Sequence, residues 1–407
     1  MTVVDLSLSE VESDLRRLAR DVAERSLGPA VAAAATGDGH LDRESFRRVM
    51  ADAATAGLQS LLVPVEFGGG GQHAVAAALV GEELGAVDVG LASAINLSMC
   101  VPLMVVAAGT DVQRAAILGR VAGDEPYVLA GALNEPDVAG SDAFDPDPTP
   151  AGGPRTRARR DGEHWVLDGR KAAWVSNAGA ADAYVIFART DPTVPGPLGT
   201  TAFWVPADTA GLSVGARTSL LGMRTAWHAE VLLDDVRVGA DAVVGGVGEG
   251  LPLMQRSTAP MVVGLAAAFV GLARTAYEMA LGYAGERRSW GRPIRDHQAV
   301  ALMLSDAVAT YRRARLAVLE AAWTFDAVAE GRADPESLGS LLPSCKQQAV
   351  DAAIANAERA VKVFGAAGVA TGVGPEKLLR DAWTGWACDF TGDVLRLATA
   401  SALPRTP

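Results

Sequence analysis

The chain has 407 residues, of which 49% are hydrophobic and 21% charged, with a formal net charge of −12 at pH 7. At roughly 150 residues per domain the length corresponds to about 2.7 domains, and the composition is that of a globular protein rather than a disordered one. No basic field exists to hold nucleic acid or an anionic membrane surface, so neither is an expected partner. Cys100, Cys345 and Cys388 form no CxxC, which argues against a disulfide framework and for a reducing, cytoplasmic setting. The five histidines are scattered without an HxxxH pair, so no metal site is expected. The opening MTVVDLSLSEVESDLRR lacks the basic-then-apolar order of a secretory signal. The longest apolar run, 260–273, is short for a bilayer and reads as a buried core helix.

In chain order, residues 7–120 read as helices. Ser7 with Glu10, or Ser9 with Glu12, has capping-box spacing, and Leu15, Leu18, Ala19 and Val22 recur on one helical face. Asp42 is placed to cap a second helix through Phe46 and Val49. LQSLLVPVEFGGGGQ (58–72) breaks the pattern, and helix resumes over about 74–84 and 90–108. After Tyr127 the runs TRARR (156–160), HWVLDGRK (164–171), AYVIFART (183–190), TTAFWVP (200–206) and AEVLLDDVRV (229–238) are short and separated by turn residues. They predict an antiparallel β domain. From Gly250 long helices are expected at about 250–285, 294–331, 336–366 and 375–400, with the short connections of an antiparallel bundle. The fold class is therefore α+β, mainly α. An N-terminal helical domain covers 1–125, a middle β domain 126–242, and a C-terminal helical bundle 243–407.

Six stretches in this order carry a resemblance. They are LQSLLVPVEFGGGG, GALNEPDVAGSD (131–142), LDGRKAAWVSNAGAAD (167–182), GMRTAWHAEVLLDDVRV (222–238), ERRSWGRPIRDHQAV (286–300) and KVFGAAGVATGVGPEKLLRDA (362–382). Together they resemble the signature segments of the acyl-CoA dehydrogenase family over essentially the whole chain. The resemblance implies a middle β-barrel between helical domains, a C-terminal four-helix bundle, FAD and usually a homotetramer. Physical chemistry agrees. A flavin needs an apolar wall, donors near its ring and positive or dipolar groups at its pyrophosphate. Trp174 and Ser176, on a turn after a strand, can supply a stacking ring and a hydroxyl. Leu133, Asn134 and Ser141 lie on a segment able to offer backbone donors. Arg287 has a fork suited to phosphate, Gln298 adds a neutral contact, and by resemblance Arg287, Trp290 and Gln298 come from a neighbouring subunit. Lys362, where the family has glutamine, and the turn at Gly365 are expected at the pyrophosphate, and Thr391 at the cofactor.

The family's base is a glutamate within a YEGT motif. Aligned on Arg380-Asp381-Ala382, that glutamate falls on Asp389 in RDAWTGWACDFTGD (380–393), with Cys388 and Phe390 at its sides and Thr391 retained. An aspartate is still a general base, but it is shorter by about 1.5 Å, and displacement near 1 Å can cost on the order of 10²-fold. Phe390, and Gly140 on the opposite motif, are expected at the substrate, where the Phe390 ring stands in place of a glycine. Other family members carry the base on a bundle helix, near Met261 here, where there is no acid, and Val262 stands where an arginine is usual. A surface position on a continuous helix remains the alternative for Asp389.

The leading expectation is an FAD-dependent oxidoreductase that oxidises an acyl thioester at the α and β carbons, bound to CoA or to an acyl-carrier protein. Asp389 would be the base, and by resemblance a backbone N–H and the flavin ribityl hydroxyl would polarise the carbonyl. Its electrons would pass to an electron-transfer partner or to oxygen. A flavin monooxygenase or oxidase, and an inactive scaffold paired with an active homologue, are the rival readings. A homo-oligomer, tetramer or dimer, is expected, with a hetero-oligomer under the scaffold reading.

Overall fold

The computed structural model describes residues 7–403 apart from 139–141, 143, 144, 146 and 258. The first helix, α1 (Glu10–Val22), opens with the Ser9–Glu12 capping box, and the Glu12 carboxylate accepts the Ser9 N–H at 2.7 Å. Asp42 caps α2 (Arg43–Thr55) by accepting the Ser45 N–H at 2.8 Å. Two apolar helices follow, α3 (Ala74–Val87) and α4 (Val89–Cys100). The helix expected through residue 108 is interrupted around Pro102 and resumes at Leu103–Ala108. Proline brings no N–H to a helical ladder.

The middle sheet comprises β1 (Leu129–Ala132), β2 (Arg157–Asp161), β3 (His164–Ser176), β4 (Ala183–Arg189), β5 (Thr200–Pro206), β6 (Leu212–Arg217), β7 (His228–Gly239) and β8 (Val243–Val244). The order is β6-β7-β3-β2-β4-β5-β8, with β1 beside β4. Pairing is antiparallel except on β4, which takes β1 and the Arg157 end of β2 parallel. β4 is buried along its whole length, because both faces of the sheet are covered. One face packs Trp165, Tyr184 and Phe203 into the domain's own core. The other sets Val185, Phe187 and Trp204 against Met104 and Tyr127 from the helical side. β1, β6 and β8 escape the strand expectation because LAGA, LSVGAR and VV carry too little period-two pattern.

The bundle is built from α5 (Ala259–Glu286), α6 (Gln298–Ala329), α7 (Leu341–Phe364), α8 (Pro375–Ala387) and α9 (Gly392–Ser401). α5 contains the apolar run 260–273, and by length and composition it could cross a membrane, but 78% of its most apolar window is buried within the protein. It meets α3 through small residues, and a Cβ on Gly85 would lie 2.4 Å from the Ala268 Cα. Beside that contact Glu82 and Glu83, both buried, bind arginines from three helices. Arg16 Nε donates to Glu83 at 2.7 Å, Arg274 Nη2 to Glu83 at 2.9 Å, and Arg315 Nε to Glu82 at 2.7 Å. Burial pushes the Glu83 carboxyl up, but hydrogen bonds from Arg274, Arg20 and Arg16 outweigh it and hold its pKa at about 2. The single helix expected over 375–400 does not exist. It is cut at 388–391 into α8 and α9, so Asp389 stands on a turn and not on a helix surface.

Candidate active site

The Asn134 end of the first motif is fixed by charge. Lys171, fully buried on β3, donates to Glu135 Oε1 at 2.6 Å, to the Leu133 carbonyl at 3.3 Å and to the Phe187 carbonyl at 2.7 Å. Glu135 also accepts the N–H groups of Arg155 (2.6 Å) and Thr156 (3.0 Å). Burial pulls the Lys171 ammonium down to about 8, against the raising effect of Glu135. The Asn134 carbonyl accepts the Ala172 N–H at 2.9 Å, which brings Leu133 and Asn134 alongside the end of β3. Gly140 and Ser141 lie outside the described residues.

Trp174 and Ser176 belong to β3 itself, which runs two residues beyond the indole; the turn begins at Asn177. Alternation buries Val175 and leaves Trp174 50% exposed. Asn177 is left-handed, with φ 65°, and is wholly buried. Its amide donates to the carbonyls of Ala94 (3.1 Å) and Leu129 (2.9 Å) and to Ser98 Oγ (3.3 Å). It therefore ties the turn to α4 and β1 at once. Ser176 pairs with His228, the first residue of β7. Burial, then the charge of Arg217, pushes His228 down to about 4, so it stands there as a neutral imidazole.

Just before β7, the Gly222-Met223-Arg224 loop docks onto α8. The Gly222 N–H donates to Thr384 Oγ1 at 2.8 Å and the Met223 N–H to Asp381 Oδ1 at 2.6 Å. A Cβ at Gly222 would sit 2.3 Å from the Arg380 carbonyl oxygen, so this approach requires glycine. Lys377 joins Asp381 (2.6 Å) to Asp88 (2.8 Å), and Asp88 accepts the Thr225 hydroxyl at 2.6 Å. Two motifs some 160 residues apart thus lock together, and with α4 they set the direction in which α8 leaves.

Asp389 follows on the turn between α8 and α9. It and Phe390 are consecutive left-handed residues, with φ 43° and 75°. Asp389 is exposed on this turn, with protein packed around its base. That burial pushes its carboxyl pKa up, opposed by the charge of Lys346. Lys346, on α7, is 1% exposed. Its ammonium donates to the carbonyls of Gly385 (3.1 Å), Phe390 (3.1 Å) and Cys388. Thr391 is extended and caps α9, its hydroxyl accepting the Val394 N–H at 3.5 Å.

The remaining expected residues stand elsewhere. Arg287 and Trp290 frame a two-residue hairpin between Arg288–Ser289 and Arg292–Pro293, with Trp290 and Gly291 both at positive φ. Trp290 is 90% exposed, Gln298 is exposed at the start of α6, and the Arg287 guanidinium has no bonding partner among the described residues. Lys362 is exposed near the end of α7, 3.9 Å from Glu358, and Gly365 follows at φ 62° with open space at its Cβ. Lys346 and Lys362 are 16 residues apart on one helix, about 24 Å at the helical rise. Within one chain, then, Lys362 and Gly365 do not share a site with Asp389. Asn177, Lys171, Glu135 and Lys346 escaped the sequence reading. Each is a polar residue inside an apolar stretch, and only the fold supplies its partners.

The donor set suits a flavin. The Trp174 indole and the Ser176 hydroxyl, on β3, and the Arg287 guanidinium, on the connection after α5, take no side-chain hydrogen bond among the described residues.

Comparison with known proteins follows the same three parts. Residues 9–125, 130–236 and 248–402 match the models for the acyl-CoA dehydrogenase N-terminal, middle and C-terminal domains. The probable acyl-CoA dehydrogenase FadE25 of Mycobacterium tuberculosis is 30% identical over 400 residues, covering 98% of this chain and 96% of its own. Butyryl-CoA dehydrogenase from Megasphaera elsdenii superposes with a TM-score of 0.88 at 27% identity, over 98% of this chain and all of that one. The prolyl acyl carrier protein oxidase AnaB gives 0.84 at 25% identity, over 97% and 99%. The FAD complex of PigA gives 0.86 at 25% identity, over 98% of each chain.

Proposed function

Because the chain belongs to the acyl-CoA dehydrogenase family, we propose that this oxidoreductase uses FAD to oxidise an acyl thioester at its α and β carbons, with Asp389 as the base. The observation that carries the reading is the placement of Asp389: an exposed aspartate on a left-handed turn whose flanking carbonyls are held by Lys346. No acid competes with it on α5, whose first acidic residue is Glu278.

FAD, when bound, supplies the hydride acceptor. Trp174 and Ser176 at the end of β3, with Leu133 and Asn134 beside them, would form the wall and donors at its ring. Arg287, Lys362 and Gly365 would serve phosphate on another copy of the chain, which supports a homo-oligomer and accounts for an indole as exposed as Trp290. Asp389 takes the α-proton, and its raised pKa makes it a stronger base than an ordinary aspartate. Phe390 narrows the approach on one side of that carboxylate. The free thiols of Cys100, Cys345 and Cys388 support a reducing compartment such as the cytoplasm.

The apolar Val262 removes a charged group expected at a CoA thioester, and the likeness to AnaB supports a carrier-bound substrate as the second choice of tether. The test is anaerobic. The purified yellow protein is mixed with a panel of acyl-CoA and acyl-carrier-protein thioesters. Bleaching by one member, lost in Asp389→Asn, is the expected result, and which member bleaches it assigns the tether. A flavin that no thioester bleaches but NAD(P)H and a reductase do would replace this reading with a monooxygenase. Reoxidation by oxygen or by a redox protein then identifies the acceptor.

A further inference from the structure

Two consecutive left-handed residues that are not glycine are costly, at about 1–3 kcal/mol each, and persist only where the surroundings hold them. At Asp389 and Phe390 the holder is visible. Lys346 reaches from α7 with all three ammonium protons committed to backbone carbonyls, one at the end of α8 and two flanking Asp389. A buried ammonium spent on carbonyls is an unusual arrangement. No neutral side chain carries the three donors that these carbonyls take up from one nitrogen.

We propose that Lys346 is a positioning residue for the base: it holds the carbonyls on either side of Asp389 and fixes the left-handed turn that presents the carboxylate. The proposal rests on Asp389 being the base. The charges around the turn are few. Lys346 comes from α7 and is the cation that opposes the rise of the Asp389 carboxyl. Asp351 from α7 acts on Lys346 and is itself paired at 3.3 Å with Arg396 of α9, while burial pushes the Cys388 thiol up to about 12 and leaves it uncharged. Crowding pushes the Asp389 carboxyl up and Lys346 opposes it, so removing the cation moves the carboxyl further up.

The experiment compares Lys346→Met and Lys346→Arg with wild type in two readouts. In the flavin-loaded enzyme, Lys346→Met should lower kcat by about 10²-fold with KM changed less than about threefold, as for a displaced catalytic group. The acidic limb of its pH profile should move up by about one unit or more, and Lys346→Arg should restore that limb. In the same proteins without substrate, amide exchange over 386–394 should quicken about tenfold or more in Lys346→Met while the rest of the chain keeps its protection. A pH limb and a local exchange rate both unchanged in Lys346→Met would overturn the proposal. So would faster exchange spread over the whole bundle with the pH limb unmoved in the folded Lys346→Arg and Lys346→Met fractions, which would make Lys346 a packing residue. Failure of the base itself is read separately: Asp389→Asn keeping full turnover would remove the catalytic premise while the exchange data still decide whether Lys346 holds the turn.

Discussion

The turn after β3 and the turn after α8 solve the same problem with different chemistry. Each holds non-glycine residues in a left-handed backbone that the surrounding chain must stabilise. The first puts asparagine at φ 65°, a residue that tolerates that conformation, and lets its own amide tie the turn to three neutral acceptors. The second puts aspartate and phenylalanine at φ 43° and 75° and is restrained from outside by a buried ammonium. A turn restrained by neutral groups is indifferent to pH. A turn restrained by charge couples its geometry to the ionisation of the group it carries. The second is the better device where the group presented is a base.

The comparison breaks most sharply at Asp389. Asp389→Asn should slow flavin reduction by a thioester about 10²–10⁴-fold, measured by stopped flow, with the melting temperature nearly unchanged. A retained rate with a lost melting temperature would make the second turn structural only. Next, Asn177→Ala should cost about 3–4 kcal/mol in urea unfolding, from three lost hydrogen bonds and an alanine forced to φ > 0, and the loss should be the same at pH 6 and pH 8. A loss that varies with pH would erase the distinction between the two turns. The charged class has a second member in Glu83. Its folded pKa of about 2 lies below the ordinary carboxylate value. It therefore contributes stability that is fully present above about pH 4.5 and is lost as pH falls toward 2. The contribution is about 3 kcal/mol, and Glu83→Gln should flatten that part of the stability–pH curve. The smallest effect is expected for Phe390→Gly. Relief of left-handed strain and the freer unfolded chain offset one another, so the urea midpoint should move by less than the equivalent of about 1 kcal/mol. A loss above about 2 kcal/mol would show that the ring is packed rather than merely tolerated.

The order helical, β, helical was legible in the chain because period 3.6 and period 2 are local properties, and so were the Ser9–Glu12 and Asp42 caps. The break at 388–391 was not. The stretch 375–400 keeps a helical spacing of apolar residues across the interruption, and nothing local demands that Asp389 and Phe390 leave the helix. What meets them there is Lys346, 43 residues earlier in sequence, bonded to the flanking carbonyls, and Thr391, which caps the next helix. Gly222 shows the same limit. Its motif was recognisable, but the Arg380 carbonyl that excludes a Cβ there lies on another domain.

By itself, then, the sequence determined the class of fold and the family, and it named Asp389 as the candidate base. These are set by composition and by neighbours along the chain. Tertiary structure alone decided that Asp389 sits on a left-handed turn rather than a helix face, and that Asn177 and Lys171 tie the end of β3 to its neighbours. It alone also carried Lys362 and Gly365 some 24 Å along α7 from the residue that holds that turn. Buried polar groups must find partners wherever the packed chain brings them. Which partners those are is a property of the fold and not of the spacing.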